Sequence, residues 1–299
     1  MSGISGADHS RTTGPLLLLA TCAAWPDGEP GGELLAPAFA AHGIAARWAV
    51  WDDPSVDWES ADLVAVRSTW DIQHRMPDFL AWARRLGPRL LQGERVFRWN
   101  TDKRYLLDLA AQGRVPVIPT EAPEDAVALR AAITRVGSAV VKPRLGAGGD
   151  GLVVVHDGEG PLPAELLTDL NHWLVQPLVP SVFDTGERSV FVLGGHPGAQ
   201  VAKVAPPHDV RVHEHRGGTT RVVSADPELA LLAVDAVAAT TELLGAGLPY
   251  ARVDLLHHEG RWCVSEIELT EPGLYLDHLP GNATRFADVV AEHLAAVGG

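Results

Sequence analysis

Residues 140–155, VVKPRLGAGGDGLVVV, set a run of glycines between two segments rich in valine. Gly146, Gly148 and Gly151 satisfy G-x-G-x-x-G, the spacing of a dinucleotide-binding turn. That turn requires a helix after the glycines, because the helix N-terminus holds the pyrophosphate. Residues 152–156 instead read as a strand, which argues against a nicotinamide oxidoreductase. A glycine loop joining two strands is a flap whose backbone N–H groups, here including that of Gly149, can close over phosphates. Lys142, ending the first strand, is then placed to pair with a phosphate. The plainer alternative is a glycine-rich hairpin with an exposed lysine.

A second constraint comes from residues 251–272, ARVDLLHHEGRWCVSEIELTEP. Two strands turning at 258–260 put Asp254 opposite Glu266, or within one residue of it. Glu266 and Glu268 are two apart and share a face, so three carboxylates meet on one small patch of sheet. Like charges this close are costly without a cation, and hard oxygen ligands fit Mg²⁺ shared with nucleotide phosphates. The alternative is a solvent-facing acidic hairpin, since Ile267 and Leu269 alternate with the acids. Among 13 histidines, the pairs His257-His258 and His213/His215 are read as chance neighbours. Arg252, two residues before Asp254, shares its strand face and is a candidate to hold a substrate carboxylate or an oxyanion.

Between these segments, a strand at 173–176 ends in Gln176-Pro177, and Gly186-Glu187 precedes the next strand. Such a connector can offer amides and a carboxamide to an adenine edge and a carboxylate to a ribose. Lys203, Arg211 and Arg216-Gly217-Gly218 add positive charge, each on its own also readable as a surface ion-pair partner.

The remaining pattern is α/β at the N-terminus and α+β beyond it. Strands are expected at 16–20, 46–51, 63–67 and 90–92, with helices at 33–42 and 76–86. Strands at 115–118, 139–142, 152–156 and 173–176, with a helix at about 123–136, form a second, smaller unit. A hairpin of 190–193 and 200–204 across Gly194-Gly195 follows. A long alanine-rich helix at 227–244, strands at 251–257 and 261–267 and a helix from about 284 to 296 complete a third. The expected division is 1–100, 101–182 and 183–299, and the 299-residue length accommodates it. With 24 basic against 38 acidic residues, net −14, the chain has no nucleic-acid footprint. No segment reaches transmembrane length, so a membrane is not expected as a partner. The apolar run within 11–24 is read as a first strand rather than a signal core. Residues 1–13 are expected to be disordered. Cys22 and Cys263 lack metal-ligand spacing and read as buried thiols, and a cytoplasmic location follows.

Taken in order, these motifs resemble the ATP-grasp superfamily, in which two α+β units grip ATP behind a Rossmann-like pre-grasp domain. The resemblance implies a small central lid domain, a C-terminal catalytic domain, ATP and Mg²⁺ as cofactors, and a small amino-acid-like carboxylate as substrate. It implies ATP contacts from Lys103 in WNTDK, Lys142, the glycine loop, Gln176, the backbone near Leu178 and Val179, Glu187 at the ribose, and Lys203. It also implies catalytic cations at Lys203 and Arg211 beside Arg252. Asp254, Glu266 and Glu268 match the metal triad, Glu268 standing where the family commonly has Asn. Segments 53–71, 176–182 and 268–277 are similar to a subgroup of small stand-alone members that includes a cyclo-ligase. In that setting Arg67, Ser68, Asp71, Arg216 and Gly217 are substrate-contact candidates; for the first three, helix capping is the plainer role. An intermolecular carboxylate–amine ligase is the alternative activity, and a non-catalytic nucleotide-binding module the distant one. A homodimer is compatible with all of these.

Overall fold

The computed structural model of the chain describes residues 14–168 and 172–298. Residues 1–13, expected to be disordered, lie outside the described residues. Leu16–Thr21 (β1), Ala45–Val50 (β2) and Leu63–Ser68 (β3) form a parallel sheet in the order β2-β1-β3. Parallel neighbours cannot be joined by a tight turn, and Leu35–Ala40 (α1) makes the crossover from β1 to β2. All six residues of β3 are buried, as a strand covered on both faces requires. Residues 90–92 depart from the expected strand. Leu91 N–H donates to the Val64 carbonyl at 2.9 Å, but Gln92 and Gly93 adopt left-handed backbone, φ 70° and 78°. That turn ends the pairing after a single bridge between Leu90 and Val64.

Met76–Leu86 (α2) buries Met76, Phe79, Trp82, Ala83 and Leu86 at helical spacing. It is followed by Gly93–Asn100 (α3) and Tyr105–Gln112 (α4), which the sequence pattern did not single out. Ala126–Val136 (α5) starts at Asp125, whose carboxylate accepts the Ala128 N–H at 2.7 Å, an N-cap. It packs on a small antiparallel sheet of Ala139–Pro143 (β4), Val153–Val155 (β5) and Trp173–Pro177 (β6), ordered β5-β4-β6. Leu129, Ile133, Val141, Leu166 and Trp173 belong to a core of its own. Residues 115–118 do not join this sheet as expected. Val117 bridges Val264 instead, and the flanking Pro116 and Pro119 have no N–H to extend a ladder.

The third sheet is antiparallel and five-stranded: Glu187–Leu193 (β7), His196–Val204 (β8), Thr219–Val223 (β9), Tyr250–His258 (β10) and Arg261–Glu268 (β11), ordered β11-β10-β7-β8-β9. β9 was not anticipated, because its residues are mostly exposed on both faces and carry no alternation. Pro227–Leu244 (α6) covers one face of this sheet, and Gly281–Gly298 (α7) docks on α1 and β7. Val190, Val192, Val253 and Ile267 share one continuous core with α6 and with Val64, Val66 and Phe79 of the N-terminal part. Both cysteines are buried and free. No helix of the described residues is long and apolar enough to cross a membrane.

Candidate active site

Strand alternation decides which side chains reach the face of the five-stranded sheet opposite α6. Arg252 pairs with Glu268 and Asp254 with Glu266 across β10–β11, with a bulge just after Asp254. On the other side Asp254 faces Ser189, and Glu187 faces Lys203 across β7–β8. Residues two apart share a face, so four acids, two cations and a serine gather beneath β4–β6. Ligand oxygens of Asp254, Glu266 and Glu268 lie within 4.8 Å of one another. Among the described residues, this is the one group of His, Cys, Asp and Glu side chains that converges in this way. An all-carboxylate oxygen set suits Mg²⁺ and not a soft metal.

Each acid is matched by a cation. Lys103 Nζ donates to Glu266 at 2.6 Å and to the Gly146 carbonyl at 2.9 Å. Arg252 Nη2 donates to Asp254 at 2.9 Å and also to Glu268, and Ser189 Oγ donates to Asp254. Lys203 pairs with Glu187 and lies 3.5 Å from Asp254. The titrations follow these contacts. Burial pushes all the carboxyls upward, but Arg252 and Lys203 more than offset it at Asp254, which falls far below its ordinary value. Lys103 and Lys142 hold Glu266 at about 2 against the same burial. At Glu268 burial prevails over Arg252, and Asp254 and Glu266 add repulsion, giving about 7. Burial also raises Glu187 despite Lys203. Burial pushes Lys103 down, yet Glu266 carries it above the ordinary lysine value. Lys142 is pushed down by burial and by Lys103, with Glu266 opposing. Among the described residues its ammonium has no hydrogen bond or ion pair.

Lys103, Lys142, Glu187, Lys203, Arg252, Glu266 and Glu268 line one cavity of about 720 Å³, with Asp254 and Ser189 buried beneath them. Its roof is the glycine loop between β4 and β5. Gly148 and Gly149 have φ of 63° and 69°, conformations that suit glycine. A Cβ on Gly149 would stand 2.7 Å from Arg211 Cδ. Arg211, paired with Asp209 at 2.6 Å, lines the cavity. Arg216 lies behind the loop, donating to the Gly148 carbonyl at 3.2 Å and pairing with Asp150. At one end, Val140, Ile118, Val179, Val182 and Leu256 form an apolar slot beside Gln176 and Leu178. Leu178 does not offer its amide there as expected, because that N–H already donates to the Ser138 carbonyl at 2.9 Å. Gln176 Nε2 donates to Thr120 Oγ1 at 2.9 Å.

Several expected substrate contacts are elsewhere. Arg67 is fully buried, donating to Glu29 at 2.7 Å and to the Pro272 carbonyl at 2.6 Å. Ser68 is buried against Thr21, Oγ to Oγ 2.7 Å, and Asp71 accepts the Trp51 indole N–H at 3.0 Å. None of the three lines the cavity; they end β3 and brace the structure behind it. Arg216 and Gly217 are likewise outside its wall, as is Gly151, whose neighbour is Pro143. Conversely, Glu29, Trp70, His213, Glu271 and Tyr275 line the cavity without having been assigned a role. Trp70, Glu271 and Tyr275 stood in segments already singled out and His213 was read as a chance neighbour of His215, whereas nothing in the sequence marked Glu29.

Family comparison agrees with this geometry. Residues 17–92 match the N-terminal domain of D-cycloserine synthetase DcsG, and residues 113–275 match the ATP-grasp domain of prokaryotic glutathione synthetase. Cycloserine biosynthesis protein DcsG of Streptomyces lavendulae is 35% identical over 274 residues, covering 84% of this chain and 90% of that protein. The crystal structure of D-cycloserine synthetase DcsG superposes with a TM-score of 0.82 at 33% identity, covering 93% of this chain and 99% of that one. The ATP-grasp ligase PsnB, complexed with a phosphomimetic variant of its minimal precursor, Mg and ADP, shares the fold at a TM-score of 0.62 and 14% identity, covering 95% of this chain and 100% of that one. The chain belongs to the ATP-grasp ligases and is related, within them, to D-cycloserine synthetase.

Proposed function

We propose that the protein activates a small amino-acid carboxylate with ATP and closes it on its own nitrogen, converting O-ureido-D-serine to D-cycloserine. The observation that carries this reading is the convergence of a three-carboxylate cluster with three lysines that line one cavity beneath a glycine loop. The relationship to DcsG supplies the substrate. Asp254, Glu266 and Glu268 would hold Mg²⁺, which when bound supplies Lewis-acid neutralisation of phosphate charge. The adenine would lie in the slot of Ile118, Val179 and Leu256, with Gln176 and Glu187 toward the nucleoside. Lys142, which has no partner among the described residues, and Lys103 would hold the phosphates under the glycine loop, with Arg211 closing the side. The chain then reads as three units, 1–100, 101–182 and 183–299.

The substrate carboxylate oxygen attacks the γ-phosphorus, the bond to the bridging oxygen breaks, and ADP leaves an acyl phosphate. The ureido nitrogen then attacks the acyl carbon, forming a C–N bond as the acyl C–O bond breaks and phosphate leaves. Water takes the carbamoyl group as carbamate, which falls to CO₂ and ammonia. Arg252 uses Nε and Nη2 on Asp254 and Glu268, leaving Nη1 for the oxyanion that develops at the acyl carbon. Holding both reacting groups in one molecule replaces a second substrate.

ADP release with Mg²⁺-ATP, measured against O-ureido-D-serine, its L-isomer, D-alanine and glutamate with products identified by mass, tests this. Turnover to a cyclic product from O-ureido-D-serine is expected. Turnover only after adding a separate amine would assign an intermolecular ligase instead.

A further inference from the structure

The cavity includes in its wall a carboxylate that the metal and nucleotide roles leave unused. Glu271 lines it close enough to Glu268, Lys103, Glu266 and Arg252 to feel their charges. Yet among the described residues the Glu271 side chain has no hydrogen bond or ion pair. The contrast with its neighbours is sharp, since Glu266, Glu268, Asp254 and Glu187 each have a lysine or arginine partner. A carboxylate in a recessed pocket without a cation is left incompletely compensated.

Its backbone, in contrast, is tightly fixed. Trp70 Nε1 donates to the Glu271 carbonyl at 3.2 Å and Arg67 to the Pro272 carbonyl at 2.6 Å. Leu274 N–H donates to Glu29 at 2.7 Å. Trp25 packs edge-on against Trp70, centroids 5.4 Å apart, and both rings line the same end of the cavity. The result is a rigidly presented carboxyl group beside aromatic walls, adjoining the metal triad on the side away from the apolar slot. Burial first, and then the charge of Glu268, push it up to about 8, a shift that a bound cation would reverse.

Resting on the ligase reading above, we infer that Glu271 is a specificity-determining residue that binds the α-ammonium of the substrate, so the enzyme selects carboxylates bearing a free amine. An ammonium donates to the carboxylate and supplies the missing charge. The α-carboxylate of the same molecule, a few bonds away, then faces Arg252 and the phosphate site.

The test separates this inference from the ligase reading. Binding of D-serine, N-acetyl-D-serine and 3-hydroxypropanoate to the Mg²⁺-ADP-loaded enzyme is measured by calorimetry, alongside ADP release from O-ureido-D-serine. Loss of the free amine should weaken binding roughly ten- to hundredfold in the wild type, the range of one charge-assisted hydrogen bond. Glu271→Gln should reduce that discrimination to within about threefold and raise KM more than it lowers kcat, with ADP affinity kept as the control for folding. Glu271→Asp should restore part of it. Amine discrimination unchanged in Glu271→Gln would overturn the inference even if ATP turnover is normal. A changed Mg²⁺ requirement with discrimination intact would also overturn it, by making Glu271 a metal ligand. If no carboxylate drives ADP release, the binding arm still decides: amine selection dependent on Glu271 upholds the site, and equal binding of all three probes refutes it.

Discussion

Lys142 is a charged side chain kept in the cavity without a partner among the described residues. Burial lowers its pKa, Lys103 adds repulsion and Glu266 only partly compensates. A folded-state lysine pKa below the unfolded value means that the charged form costs stability. That cost is present in full below the depressed pKa and fades as pH rises through it toward the ordinary 10.5. Lys142→Met should therefore raise Tm at pH 7 by roughly 2 °C or more, given about 2–4 °C per kcal/mol for chains approaching this size. The gain should shrink as pH approaches 10. The same variant should lose at least about tenfold in Mg²⁺-ADP affinity, because the unpaired charge is what a phosphate would satisfy. Thermal melts with and without nucleotide check both parts; a variant that is less stable and binds ADP normally would remove Lys142 from the site. The triad was legible because hairpin arithmetic needs only a turn and a two-residue period. Ser189 and Glu29 were not, since each acts through a partner 65 and 38 residues away in sequence.

At the scale of the element, the glycine loop shows why spacing alone misleads. Its G-x-G-x-x-G is that of a nucleotide turn, but β5 follows it and makes it a hinged roof between antiparallel neighbours. Arg211 and Arg216, from the segment before β9, lean on it at Gly149 and Gly148. Gly149→Ala sets a Cβ against Arg211 at a positive φ, where left-handed backbone costs an L-residue roughly 1–2 kcal/mol. If the roof must seat against Arg211 over the phosphates, kcat/KM for ATP should fall about tenfold or more even well below the melting transition, while Tm falls by no more than the roughly 2–8 °C that this strain implies at 2–4 °C per kcal/mol. Steady-state kinetics at a temperature where the variant is fully folded, set beside a thermal melt, distinguish this from general destabilisation, which would leave kcat/KM there unchanged. Strands that alternate or run apolar were readable from the chain. Residues 90–92 and 115–118 were cut short by a left-handed turn and by prolines whose missing N–H matters only once the partner strand is known. β9, exposed on both faces, left no pattern to read.

Across the whole molecule, the N-terminal part and the catalytic sheet are joined by their cores and by buried polar contacts. Val64 and Phe79 share a core with Val253 and Ile267, and Leu19 and Phe39 share another with Phe191 and Phe286. Asn100 donates to the Ile267 carbonyl at 2.6 Å and accepts the Leu269 N–H at 2.8 Å. The deepest tie is Glu29–Arg67, which holds the segment carrying Glu271 and Tyr275. Removing one partner of a buried ion pair strands the other charge and costs roughly 3–5 kcal/mol. Glu29→Gln should therefore lower Tm by roughly 6 °C or more at 2–4 °C per kcal/mol. Because both cores run through the junction, tryptophan fluorescence, dominated by N-terminal residues such as Trp51, Trp58 and Trp82, should shift together with far-ultraviolet circular dichroism in a single transition. A fluorescence transition that moves alone would mean that the N-terminal sheet unfolds as an independent unit. Glu29 would then be bracing that sheet only, and the rigid presentation of Glu271 would need another source.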